Sequence, residues 1–274
     1  MFAANSLLFV PGGRPDRFAK AAAAGAGLTV IDCEDAVPAA GKAEAREAAL
    51  QAIAAEPENY ALRINGVSTD AGKADLAALK LSEILPRTLL LPMVESAADI
   101  AVARDALGSR CSQIIPLIET PRGLRHSLEI AFADNVSAVF FGGGDFSGEL
   151  GVELAWEPLL LARQQLILAC AEARVPAIDV PFVHLEDESG LREESKRARA
   201  LGFSAKAAIH PAQVETIEHA FAPSAGEIAE AKDAVHAFEQ MGGAAIRHNG
   251  RMLEEPLVKK YRALLARAER TANA

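Results

Sequence analysis

A chain of 274 residues, half of them hydrophobic, can bury the core of one large α/β domain or of two small ones. A net charge of −9 and 5% aromatic residues argue against nucleic-acid binding, which calls for a basic footprint and stacking side chains. No uncharged apolar run approaches the ~20 residues of a membrane helix, no basic-then-apolar leader follows Met1, and Cys33, Cys111 and Cys170 lack CxxC spacing, so a reducing compartment, the cytoplasm, is expected.

Along the chain, short apolar runs alternate with helix-like stretches. The spacing predicts strands at 6–10, 28–31, 60–64, 88–91, 113–118, 138–141, 177–180 and 204–209, and helices at 15–24, 42–55, 71–79, 96–107, 121–132, 158–173, 190–201 and 211–221. Pro121 and Pro211 suit first helical positions, and Ser96 with Asp99 three residues on has capping-box spacing. The near-continuous apolar strands fit a parallel sheet covered on both faces. Eight strand–helix pairs in about 220 residues fit a (β/α)₈ barrel. A doubly wound open sheet competes, but Pro11-Gly12-Gly13-Arg14-Pro15 is no G-x-G-x-x-G, and no GK[ST] follows Gly142. Beyond 221 the pattern changes to a helix over 224–241 ended by Gly242-Gly243, a short loop at 248–251 and a last helix from about Pro256. The expected organisation is a barrel over 1–222 and a C-terminal helical extension over 223–274, lying across its own barrel or against a neighbouring subunit.

Polar chemistry gathers where strands should end, and in a barrel such ends converge on one face. Glu119 and Asp145 end strands five and six; two carboxylates converging in a cleft need a cation or a proton between them, and Mg²⁺ suits such a pair. Gly142-Gly143-Gly144 would let a ligand approach the backbone closely. The plainer reading pairs Glu119 with Arg122 or Arg125 and makes Asp145 a cap. Asp32, Glu34 and Asp35 follow strand two; Glu34 and Asp35 are read as holding metal-bound water, with a solvated acidic turn feeding a helix N-terminus as the alternative, and Asp32 as structural. Arg63, flanked by apolar strand residues, needs an oxyanion or carboxylate partner, with an internal pair to Glu34 or Asp35 as the alternative. Arg14 and Arg17 can reach anionic groups or form surface salt bridges, and His210 is read as a packing residue. HExxH, zinc-spaced His/Cys clusters and GxSxG are absent.

The ordered set Ser6–Pro11 with Arg14 to Arg17, Asp32-Cys33-Glu34-Asp35-Ala36-Val37 with Lys42 and Arg46, Arg63-Ile64-Asn65, Leu117–Gly123, Gly142–Asp145, and Lys206 with Ala208–Gln213 resembles the citrate lyase β-subunit-like acyl-CoA lyases of the HpcH/HpaI aldolase group, nearly end to end. The resemblance implies a TIM barrel with Mg²⁺ on Glu119 and Asp145, Arg63 on substrate, and Glu34 and Asp35 on metal water. It implies cleavage or formation of 3-hydroxyacyl-CoA thioesters such as malyl-CoA or citramalyl-CoA, releasing a 2-oxoacid. It also implies homotrimers or homohexamers whose tail covers a neighbour's site. Two positions depart from the family: Met93 stands where a lysine is usual, and Glu254 where the tail usually has an aspartate. On this reading Arg63 stabilises negative oxygen, Arg14 and Gly144 help bind substrate, and Glu254 exchanges the α-carbon proton. The rivals are a thioesterase on the same scaffold, a class II aldolase on free hydroxy-keto acids, and a non-catalytic subunit.

Overall fold

The computed structural model describes residues 2–110 and 112–272, so Met1 and Cys111 lie outside the described residues. Eight parallel strands close into a barrel in sequence order. They are β1 (Ser6–Pro11), β2 (Leu28–Asp32), β3 (Tyr60–Arg63), β4 (Thr88–Leu91), β5 (Gln113–Ile118), β6 (Val139–Phe141), β7 (Ala177–Asp179) and β8 (Ala205–Ala208). All eight expected strands are present, shifted by at most one residue at either end. The barrel closes where Ser6 of β1 pairs with Lys206 of β8.

Alternation along each strand separates two cores. Leu7, Val30, Ala61, Leu90, Ile115 and Ile178 belong to one cluster that fills the barrel, whereas Leu8, Ile31, Leu62, Leu89 and Ile114 belong to the cluster under the helices. The same parity sends Lys206 and Asp179 outward, where both are fully buried. They compensate each other: Lys206 Nζ lies 2.7 Å from Asp179 Oδ2 and from Glu194 Oε1, and Arg163 Nε donates to Asp179 Oδ1 at 2.9 Å. Burial works against the Asp179 anion, but Lys206 and Arg163 hold its carboxyl below the usual range.

Three local expectations need correction. No helix is expected between 132 and 158, yet a helix, Gly143–Leu150, begins inside the triple glycine and carries Asp145 in its first turn. The stretch 121–132 is two short helices, Pro121–Arg125 and Ser127–Ala131, broken at His126, whose Nδ1 lies 2.7 Å from Glu95 O. The loop expected at 248–251 is the turn of an antiparallel hairpin, β9 (Ile246–His248) and β10 (Arg251–Leu253). Its turn residues Asn249 and Gly250 have φ of 45° and 77°, the left-handed pair a two-residue hairpin turn demands.

The chain divides into two compact units, Met1–Phe221 and Ala222–Ala274. The second unit contains the hairpin and two helices, Ala225–Gln240 and Glu255–Ala272, around Ala231, Ala234, Phe238, Leu253, Val258 and Tyr261. Ser224 caps the first of these helices by accepting from Glu227 N. Among the described residues no helix is long and apolar enough to cross a membrane. Cys33 and Cys170 are buried free thiols.

Candidate active site

Strand parity and register build the site. Inward positions ascend each strand two at a time: Leu7, Phe9, Pro11 on β1; Val30, Asp32 on β2; Ala61, Arg63 on β3; Ile115, Leu117 and then Glu119 beyond β5. Register sets Pro11 against Asp32 and Asp32 against Arg63. The β5–β6 ladder ends at Ile118 against Phe141, and Gly142 N donates to Ile118 O, which brings Gly142 beside Glu119. The uppermost of these residues, Phe9, Pro11, Asp32, Arg63, Leu117, Glu119 and Gly142, line a cavity of about 370 Å³ with Asp35, Gly144 and Asp145 at the carboxyl ends of the strands.

Arg63 is the cationic centre. Its Nε and Nη2 each donate to Asp32 at 2.7 Å, a bidentate pair. Its Nη1 lies 2.9 Å from Glu34 Oε2 and 3.4 Å from Asp35 Oδ2, and its guanidinium sits 5.3 Å from the centre of the Phe9 ring. Glu34 Oε2 is close enough for an ion pair yet receives no well-directed hydrogen bond. Asp32, read from sequence as structural, is therefore Arg63's principal partner. The signal was present in its parity, since Asp32 and Arg63 both fall on the inward face of adjacent strands. Lys42 was not singled out for chemistry; its ammonium donates to Cys33 O at 3.1 Å and Glu34 O at 2.6 Å and pins the acidic loop.

Glu119 is 3% exposed and accepts the Met93 N–H at 2.6 Å through Oε2. It pairs with neither arginine of its own segment: Arg122 Nη1 lies 3.5 Å from Glu95. A Cβ on Gly142 would stand 2.1 Å from Glu119 Cγ, so this carboxylate occupies the space that the glycine leaves open. Around Gly144 nothing would lie within 4 Å of such an atom.

The cavity has an excess of carboxyl groups: Asp32, Glu34, Asp35, Glu119 and Asp145 surround the guanidinium of Arg63, while Lys42 is committed to backbone carbonyls. Burial pushes Glu119 up to about 7, opposed by the Met93 N–H and Arg63 and reinforced by Asp145 and Asp35. Burial likewise pushes Glu34 up to about 8, against the pull of Arg63. Asp145 is raised by burial and then by Asp35. A divalent cation between Glu119 and Asp145 would relieve this repulsion. Among the described residues no three His, Cys, Asp or Glu side chains form a ready-made metal cluster. That donor set suits a hard ion that accepts one or two carboxylates and completes its shell with water and substrate oxygens.

Of the residues expected at the site, Arg63, Glu34, Asp35, Glu119, Asp145 and Gly144 come together. Arg14 does not join them: it is exposed and forked onto Asp16 at 2.7 and 2.8 Å. Glu254 belongs to the second unit, one residue beyond buried Leu253 and at the start of helix Glu255–Ala272. A second cavity, of about 510 Å³, shares Phe9, Pro11 and Ile209 with the first and includes Arg17, Lys20 and His210. His210, expected to be a packing residue, is exposed; its Nδ1 accepts from Ala212 N in the turn after β8.

The HpcH/HpaI aldolase/citrate lyase family model matches residues 5–211. The chain is 32% identical to the human protein "Citramalyl-CoA lyase, mitochondrial", covering 93% of this chain and 83% of the relative. It is also 32% identical to a "(3S)-malyl-CoA thioesterase" of Cereibacter sphaeroides, covering 98% of this chain and 95% of the relative. Among solved structures, CitE of Mycobacterium tuberculosis in complex with magnesium, acetoacetate and coenzyme A superposes with a TM-score of 0.84 at 33% identity, covering 97% of this chain and 98% of the other. The chain belongs to the HpcH/HpaI aldolase/citrate lyase family, and it is an enzyme.

Proposed function

We propose a Mg²⁺-dependent lyase that cleaves, or in reverse forms, a 3-hydroxyacyl-CoA thioester, yielding acetyl-CoA and a 2-oxoacid. The observation that carries this reading is the meeting of Glu119 and Asp145 beside Arg63 in one acid-rich cavity. The names of the human relative and of the ligands in the mycobacterial complex support it. Glu119 and Asp145 would hold the cation, with Glu34 and Asp35 orienting its water. When bound, the ion supplies Lewis acidity toward the oxygens of the 2-hydroxyacid end. Arg63 has Nε and Nη2 committed to Asp32, so Nη1, which also pairs with Glu34 and Asp35, is the nitrogen left to face the oxygen on which negative charge develops. Glu254, presented by a neighbouring subunit of a homotrimer or homohexamer, exchanges the proton on the thioester's α-carbon.

The cavity also supports a substrate class. Its remaining wall is apolar, with Phe9, Leu117, Phe140, Leu154, Val180 and Ile209, and among the described residues Arg63 is its single lining cation. A second carboxylate on the 2-oxoacid would face this wall or the acids. A small apolar substituent fits better, which favours pyruvate over oxaloacetate and so a citramalyl-type thioester. The neighbouring cavity with Arg17 and Lys20 suits the phosphate-bearing part of CoA. Cytoplasmic residence belongs to the same reading, in keeping with free Cys33 and Cys170.

The second reading, a thioester hydrolase, is favoured by the name of the Cereibacter relative. One assay separates the two. The protein is incubated with Mg²⁺, acetyl-CoA and a panel of 2-oxoacids, and the products are identified by mass. A condensed acyl-CoA, most with pyruvate, is expected. Free CoA with no condensed acyl-CoA would overturn the lyase reading.

A further inference from the structure

Met93 is a surface methionine with an unusual backbone. Its φ of 53° lies in the left-handed region, which disfavours any residue with a side chain, and 44% of its surface is exposed, so packing does not compensate. The surrounding contacts impose the turn. On one side Val94 N donates to Leu117 O at 3.2 Å. On the other, Thr120 Oγ1 donates to Glu95 Oε1 at 2.9 Å, and His126 Nδ1 approaches Glu95 O at 2.7 Å. Gly123 comes so close that a Cβ there would stand 2.5 Å from Val94 O. The segment after β4 is thus stitched to the segment after β5, and the stitching aims one N–H, that of Met93, at Glu119 Oε2.

We propose that Met93 is a positioning residue acting through its backbone: the left-handed turn fixes the Glu119 carboxylate from one side while Gly142 leaves the space it fills on the other, so that Glu119 Oε1 is held ready for the cation. This rests on the metal reading above. The Met93 side chain takes no part, which accounts for a methionine serving where the family usually has a lysine. A charge-assisted N–H···O⁻ bond on a buried carboxylate is strong enough to hold one rotamer, and preorganised ligands bind metal more tightly than mobile ones.

The test measures Mg²⁺ affinity by titration calorimetry on the full-length protein, with no substrate. Replacing Met93 by its α-hydroxy acid removes the N–H and keeps the side chain; binding should weaken by about tenfold or more. Met93→Gly keeps the N–H and suits the backbone, so affinity should stay within about twofold of the parent, and Met93→Lys should do the same. Gly142→Ala should weaken binding as the ester does, by pushing Glu119 aside. Urea midpoints of each variant separate lost positioning from lost folding. Wild-type affinity in the ester variant would overturn the proposal, as would a Met93→Gly loss equal to the ester's. Undiminished binding by Glu119→Gln would instead overturn the metal reading on which it stands.

Discussion

Glu119→Gln should stabilise the metal-free protein at alkaline pH and abolish its response to Mg²⁺. Glu119 is 3% exposed, and burial, with the charges of Asp145 and Asp35, raises its carboxyl from 4.5 to about 7. A raised carboxyl pKa means that the folded chain keeps a proton which the unfolded chain releases. Its contribution to stability is therefore whole below about 4.5 and is lost as pH rises through about 7. At about 1.4 kcal/mol per unit, the penalty for ionising Glu119 in the folded state approaches a ceiling of about 3 kcal/mol at pH 8. Glutamine cannot ionise, and its carbonyl still accepts the Met93 N–H. The variant should match the parent at pH 4.5, where Glu119 is largely protonated in the fold, and exceed it at pH 8 by up to that ceiling, on the order of 5–10 °C in melting temperature. Urea unfolding in EDTA at both pH values measures the difference. Titrated Mg²⁺ should then stabilise the parent and leave the variant unchanged. A variant less stable than the parent at pH 8, or one with the same difference at both pH values, would refute the claim that Glu119 sits in uncompensated burial.

Arg63→Lys should not be conservative: the fork onto Asp32 is lost, and kcat/KM should fall by about 10²–10³, with steady-state kinetics as the measure. Lys206→Met leaves Asp179, which is fully buried, with Arg163 alone and should cost about 3–5 kcal/mol in urea unfolding without altering Mg²⁺ affinity. Glu254→Gln should lower kcat by about 10²–10⁴ while Mg²⁺ affinity holds. Co-expression with Asp145→Asn should restore part of the activity, because a mixed assembly pairs an intact site with an intact tail; failure to recover would argue against a tail that serves its neighbour.

Much of the barrel was legible one residue at a time. Eight apolar runs with helix signals between them are local facts, and a polar residue just past an apolar run marks a strand end whatever the rest of the chain does. Glu119, Asp145 and Arg63 stand out that way as candidates, and the family motifs point to the same positions. The Asn249-Gly250 turn was equally local, and its hairpin signal went unread between short, polar strands. The helix Gly143–Leu150 ran against propensity, since glycine is a poor helix former.

What tertiary structure alone decided was who faces whom. Parity says that Asp32 and Arg63 both point inward, but register across neighbouring strands, set by closure of the barrel, makes them a pair. The same closure lays Gly142 against Glu119, brings the Met93 amide to it, and buries Lys206 where Asp179 and Glu194 can neutralise it. Such contacts join residues tens of positions apart. Their energies depend on distances of about 3 Å that no local pattern encodes, because each strand's sequence specifies its own faces and not its offset from the next.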